Sequence, residues 1–353
     1  MTSLTTAISL VAADRPHRLW SIEAARGIAA LLVVLFHATI LMRSPSYFSL
    51  APLGGFFEFG FAGVDFFFVL SGFIILWAHG SAIGVRTVLR GYLYKRFIRI
   101  FPLYWFVCAL ILLAVTVKLT RAGVEDLEVI ASLLLWPHPG APLVAVAWTL
   151  SHELLFYAAF GAMIAYRQSG TALMAAWFIG IVWTMFLGQT NSPLGVLFHP
   201  RNLEFFVGMA AAEICRRFDS MPRPQWIAIL GCAIFAAAAT ASSHHVGEEI
   251  LLAGYALGSG LIIVGATLAE MQGNLRVPAF LIMVGRASYS IYLVHYFALS
   301  IIIKGLMYTG WLALVGPTGC FLVLVSGALG AGIVLHVWVE APLLAMFGVR
   351  NVR

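Results

Sequence analysis

Charge is what this sequence has least of. Of 353 residues only 10% are Asp, Glu, Lys or Arg, against 61% hydrophobic, and the mean hydropathy is +0.95. A soluble domain carries about 25% charged residues, so this chain cannot cover a water-facing surface of its size. That excludes a soluble enzyme and a disordered protein. Cysteine is also scarce. Cys108, Cys215, Cys232 and Cys320 each sit in an apolar run and none forms a CxxC pair, so they read as small buried hydrophobes rather than disulfides or zinc ligands. The apolar runs lack the two-residue alternation of a membrane β-barrel. The opening MTSLTTAISLVAA has neither a basic start nor a long apolar core, which predicts a cytoplasmic tail rather than a cleaved signal peptide. No P-loop, dinucleotide fingerprint, HExxH or GxSxG occurs, and no internal repeat or low-complexity segment stands out.

What fills the chain is apolar sequence of helix length. Ten runs can be drawn, at about 22–42, 60–78, 101–119, 148–166, 172–188, 203–215, 226–241, 250–269, 284–303 and 316–338. A spanning helix needs about 20 apolar residues. The expected fold is therefore all-α: a polytopic transmembrane bundle of about ten spans, with a membrane domain over 21–343 between short cytoplasmic tails at 1–20 and 344–353. The run at 203–215 is short for a span. The stretch LEVIASLLLWP at 127–137 is shorter still and ends at Pro137, which fits an interfacial or re-entrant piece. The net charge of +6 does not form the basic–aromatic surface of a nucleic-acid binder. With a cytoplasmic N-terminus and ten spans, only Arg43, Lys118, Arg121, Arg201 and Lys304 of the 21 basic residues fall outside. That asymmetry predicts both termini on the inner side.

Ionisable groups inside such spans cost free energy and are functional candidates by default. Arg26 and His37 are eleven residues apart on the first span, which places them on one face, about 16 Å apart along the axis. Arg26 then lies near the inner end, and His37 beyond the midplane. The plainer account is a snorkelling Arg and a core His bonded to a neighbouring helix. Asp65 opens the second span in GVDFFFVLSGF, where the helix dipole favours an acid, and Gly72 suits close helix packing. The following loop, RGYLYKRFIRIFPLYW, sets Arg96 and Arg99 three apart on one helical face. It is either an ordinary inner loop or an Arg fork for a polyanion such as the phosphates of coenzyme A. Glu153 in WTLSHELLFY falls one turn inside the outer boundary, at about the depth of His37, so a carboxylate–imidazole pair is expected there. Ser288, Tyr292 and His295 make a polar stripe along the ninth span. It is a candidate substrate-binding strip, and interhelical hydrogen bonding is the plainer account of it. Glu340, near the inner end of the last span, suits a structural role or an Arg partner. His244 and Glu248 have a metal-like spacing in an outer loop, but no third ligand is evident. Gly254 and Gly258 form a GxxxG of the helix-packing kind.

RGIAALLVVLFH, GVDFFFVLSGF, YLYKRFIRIFPLYW, WTLSHELLFY, SYSIYLVH and VEAPL follow one another along residues 20–343. In this order they resemble acyltransferase family 3, the integral membrane O-acyltransferases that acylate sugars on bacterial glycans. The WTLSHE form and the lack of a fused extracytoplasmic domain resemble the exopolysaccharide-modifying branch. The resemblance implies His37 as the catalytic residue, paired along the helix with Arg26. It puts Arg96 and Arg99 near the acyl donor, with Arg26 also at the donor site, between the phosphates and His37, and matches Glu153 and Asp65 to the remaining catalytic motif positions. Position 152 varies in that family, so His152 receives no chemistry. The implied co-substrate is acyl-CoA, acetyl-CoA by preference, with no metal. The implied acceptor is a polysaccharide or lipid-linked oligosaccharide, met at the bacterial inner membrane among membrane lipids and without nucleic acid. The expected reaction moves an acyl group to a sugar hydroxyl, with His37 as general base and Glu153 as its orienter; an acyl-His intermediate is the alternative chemistry. The rival readings from other classes are a glycan or lipid transporter or flippase, and a membrane scaffold without chemistry. Inverted repeats and broken midplane helices, common in transporters, are not visible.

Overall fold

The computed structural model describes residues 18–117, 126–137, 142–187, 194–218, 220–244 and 246–348. Most of the predicted N-terminal tail and the last five residues of the C-terminal one, with Arg15, Arg350 and Arg353, and also Lys118, Arg121 and His245, lie outside these residues. Among the described residues the regular structure is entirely helical. Backbone polar groups have no water to bind in a bilayer core, and a helix satisfies them internally.

Among the described residues each of the ten apolar runs coincides largely with a helix, and shorter helices lie between and after them. The helices are α1 (Trp20–Arg43), α2 (Ala62–His79), α3 (Leu89–Thr116), then, after the short α4 (Asp126–Leu133), α5 (Trp148–Ala165) and α6 (Arg167–Leu187). There follow α7 (Leu203–Arg217), α8 (Gln225–Ala241), α9 (Glu248–Met271), α10 (Ala279–Arg286), α11 (Ser288–Tyr308), α12 (Trp311–Leu335) and α13 (Ala341–Met346). Among the described residues seven helical stretches are long and apolar enough to cross a membrane; α8 is apolar but shorter. α5 and α7, at 18 and 15 residues, do not reach that standard, because His152, Glu153 and the Glu204, Arg216 and Arg217 charges dilute them. α3 starts twelve residues before the apolar run drawn from sequence. Its basic first half is helical too, and continues through Pro102. The stretch after 126 forms the eight-residue helix α4, too short to span.

Glycines set the closest crossings. A Cβ on Gly208 of α7 would meet Phe73 N at 2.7 Å and the Val69 backbone, and one on Gly72 of α2 would meet the Phe205 backbone. α2 and α7 therefore touch backbone to backbone, as the sequence reading of Gly72 anticipated. The Gly254 and Gly258 pair packs in the same way against Ala238, Gly231 and Phe235 of α8. Cys108, Cys215 and Cys320 are buried, as expected. Cys232 is exposed on α8, because its helix presents that side to a groove rather than to the core.

One end of the bundle collects Arg26, Arg96, Arg99 and Arg286, and is called here the basic end. There α1 begins without a side-chain cap of its own. Glu270, on the last turn of α9, supplies one: its carboxylate accepts from the Trp20 and Ser21 amides at 2.7 and 2.8 Å. An anion at a helix N-terminus satisfies orphan donors and opposes the dipole. This bond fixes the height and rotation of α1, and hence of Arg26 and His37.

Candidate active site

At the basic end, α1, α2, α3, α5 and α11 enclose a cavity of about 140 Å³. Arg26, Arg96 and Arg99 reach it, together with the carboxylate of Glu153 and the hydroxyls of Ser71 and Tyr292. Three cations against one anion, in a largely apolar enclosure, make a site suited to a negatively charged guest.

The two arginines of α3 have different surroundings. Arg99 Nη1 donates to Glu340 Oε1 at 2.6 Å. Glu340 Oε2 accepts from Ser290 Oγ and from His336 Nδ1, both at 2.7 Å. Glu340 is only 2% exposed. A π-helical turn over His336–Glu340 inserts one extra residue before Pro342, which rotates Glu340 inward. Such turns recur at functional sites. Arg96 Nη2 instead donates to His79 Nε2 at 3.0 Å. Its guanidinium lies over the rings of Tyr92 and Tyr157, 5.7 and 5.5 Å from their centroids. Among the described residues no carboxylate pairs with it, and its Nε is buried without a partner. Arg26 stands 3.6 Å from Glu23. Arg96 is thus the cation in the cavity wall with capacity to spare.

Glu153 accepts from Ser71 Oγ at 3.3 Å and from the Tyr157 hydroxyl. The carboxylate–imidazole pair expected from depth is not what forms: the ring against His37 is that of His295, with Nε2 3.1 Å from His37 Nδ1. Two helical residues on one depth contour need not face each other, and α5 turns Glu153 toward α2. Tyr292 lies one turn from His295. Its hydroxyl donates to the Val146 carbonyl at 3.0 Å and sits 2.9 Å from Thr149 Oγ1. Its ring packs against Phe67 at 5.6 Å and lies 5.9 Å from that of His295; Tyr292 lines the cavity and His37 does not. His295 is fully buried and does not line the cavity.

Asp65 belongs to a second cluster, toward the other end of α2. It sits in that helix's first turn, as its sequence position suggested. Arg201 Nε donates to Asp65 Oδ1 at 3.0 Å, and Arg201 Nη2 lies 3.4 Å from Glu248. The Arg201 guanidinium also covers the Phe61 ring at 5.0 Å. Glu204, wholly buried on α7, sets its carboxyl against Asp65. Next to it His152 Nδ1 donates to Asn202 Oδ1 at 2.9 Å. Arg201 and Glu204 escaped the sequence reading. Arg201 was only counted as an outer charge, and Glu204 sits in the short run whose span status was doubtful. An acid inside an apolar run was the available signal for Glu204. His244 and Glu248 do not form a metal site: Glu248 pairs with Arg201, and no group of three metal-ligating side chains occurs among the described residues.

An all-helical membrane bundle around a buried, arginine-rich cavity defines a polytopic membrane protein with an anion-suited site. A family model described as an acyltransferase domain matches residues 19–337, and the chain belongs to that family, acyltransferase family 3. It is an O-acyltransferase. It is 30% identical over 308 residues to the exopolysaccharide production protein ExoZ of Rhizobium meliloti strain 1021, covering 85% of this chain and 94% of that protein. Protein 2 in the picA locus of Rhizobium radiobacter is 31% identical over 179 residues, covering 44% of this chain and 88% of the relative. Acyltransferase MdmB of Streptomyces mycarofaciens is 26% identical over 334 residues, covering 83% of each. No solved structure matches the chain.

Proposed function

We propose that this protein transfers an acyl group, acetyl in the first instance, from cytoplasmic acyl-CoA to a hydroxyl of a bacterial exopolysaccharide or its lipid-linked precursor. The work is done from the inner membrane by a bundle of ten spans with the basic end and both termini in the cytoplasm. The observation that carries this reading is the convergence of Arg26, Arg96 and Arg99 on one cavity whose lining includes Tyr292, a single helical turn from His295, which meets His37. The likeness to ExoZ, whose name ties it to exopolysaccharide production, supports the choice of acceptor.

In this reading Arg96 and Arg26 hold the donor's phosphates, and Arg99 lines the same wall while tied to Glu340. The donor's thin pantetheine arm runs through the cavity toward His37. A thioester is already activated, so the protein's tasks are alignment, removal of the hydroxyl proton and stabilisation of the oxyanion. His37 takes the proton. An imidazole can accept and return a proton within one catalytic cycle and suits that exchange. Tyr292 forms the wall that the acyl group meets, Glu153 orders Ser71 and Tyr157 beside it, and the Asp65–Arg201 cluster shapes the acceptor side.

The test uses radiolabelled acetyl-CoA with membranes carrying His37→Ala. Label transfer to glycan is expected to fall by about 10²-fold or more at unchanged protein abundance. Undiminished transfer would remove His37 as the base.

A further inference from the structure

The two imidazoles that meet at the end of α1 come from positions 258 residues apart. Their ring centroids are 4.9 Å apart and the planes are inclined at 58°. The remaining contacts of both rings at Nδ1 are with backbone carbonyls, which can only accept. His295 Nδ1 lies 2.7 Å from the Tyr292 oxygen and 3.3 Å from that of Ile291. That nitrogen therefore carries a proton, and a neutral ring leaves a bare lone pair on Nε2. His37 Nδ1 lies 2.9 Å from the Val33 oxygen and faces that lone pair. Both neighbours are acceptors, so His37 Nδ1 carries its ring's proton and shares it between them. The opposite tautomer of His295 would set a lone pair against two carbonyl oxygens. The partners thus assign the tautomers, and the nitrogen left free on His37 is Nε2.

We infer that His295 is a positioning residue for His37: it fixes the tautomer that bares Nε2, aims the ring, and accepts the Nδ1–H when Nε2 gains a proton. This rests on His37 being the base, as proposed above. Nε2 takes the proton of the acceptor hydroxyl as the oxygen attacks the thioester carbonyl. The C–O bond forms, the C–S bond breaks, and Nε2 returns the proton to the departing thiolate. Ester and free thiol leave, and both rings end as they began. His295 is fully buried at membrane depth. A neutral imidazole gives a directional acceptor there without the cost of a second isolated charge, the part a carboxylate plays in serine hydrolase triads.

The test measures turnover of the full chain in nanodiscs with labelled acetyl-CoA and host exopolysaccharide stripped of its esters by mild alkali. His295→Leu is expected to lower kcat by about 10²-fold with KM for acetyl-CoA held within about twofold. His295→Gln, whose amide oxygen can reach the place of Nε2, should recover about tenfold of that loss. Adding His295→Leu to His37→Ala should cost nothing more, since both act through one step. An unchanged kcat in His295→Leu, equal losses in Leu and Gln, or an additive double variant would overturn the inference. If His37→Ala itself turns over at full rate, the base assignment fails instead. Independently of variant yield, ¹⁵N spectra of histidine-labelled wild type, with the His37 signal identified by its loss in His37→Ala, should show a protonated Nδ1 and a bare Nε2. A bare Nδ1 would overturn the inference.

Discussion

Arg99 Nη1 and Glu340 Oε1 are 2.6 Å apart although 241 residues separate them in the chain. The pair ties α3 to the π turn, and through Ser290 to α11. With Ser290 and His336 on its other oxygen, the Glu340 carboxylate is fully engaged. Removing one member of a buried pair leaves the other uncompensated, at about 3–5 kcal/mol. Glu340→Gln and Arg99→Ala are each expected to reduce the amount of folded protein in membranes and to lower the Tm of the solubilised chain. Wild-type abundance and Tm in both variants would show that the bridge contributes nothing to holding these elements together.

Arg96 should behave differently, although it is one turn away. Its partners are a neutral imidazole and two aromatic faces, so Arg96→Ala strands no opposite charge. Abundance is expected to stay near wild type while KM for acetyl-CoA rises by about tenfold, the loss of one charge-assisted bond of about 1.5 kcal/mol. Arg96→Lys should recover little of this, because an ammonium lacks the planar fork. An unchanged KM for Arg96→Ala would remove it from the donor site.

Much of this site could be read from one dimension, and the part that could not is the part made across helices. The eleven-residue spacing put Arg26 and His37 on one face, because helix geometry is local and fixed. The three-residue spacing likewise paired Arg96 with Arg99. Which groups those side chains meet depends on the rotation and height of other helices. Glu153 was expected at His37 and turned to Ser71, while His295 took the vacant place. The Arg partner suggested for Glu340 is Arg99, but nothing in the sequence singled it out from Arg26 or Arg96. The start of α3 was misplaced for a different reason. Hydropathy marks where a helix meets lipid, whereas this helix runs on as a basic, amphipathic extension.

The α2–α7 crossing rests on two glycines without room for a side chain. Gly208→Val would drive a branched side chain into the Val69 and Phe73 backbone, and overpacking of this kind costs about 1–3 kcal/mol or more when backbone must move. The same crossing holds Asp65 of α2 near Glu204 of α7. Gly208→Val is therefore expected to cut accumulation in membranes severely, while Gly91→Val, at a position on α3 where a Cβ meets nothing within 4 Å, should not. Equal accumulation of the two variants would contradict the close contact.

His199 supplies a pH-dependent term of predictable sign. It lies between α6 and α7, where burial, and then the neighbouring Arg201, pull its pKa from about 6.5 down to about 4. Its Nδ1 accepts from the Arg201 amide at 3.2 Å and so caps the turn at Pro200–Asn202. The ring of His152 lies 5.3 Å away and adds no charge while neutral. Unfolded, His199 takes a proton near pH 6.5; folded, only near pH 4. Between those values the unfolded chain binds more protons, so stability falls as pH drops through this window. The Tm of the solubilised protein is expected to decline from pH 6.5 toward 4, and His199→Asn, which keeps an acceptor near the Nδ1 position without a titrating group, should make that decline shallower. An identical decline in the variant would mean that His199 is not held neutral in the fold.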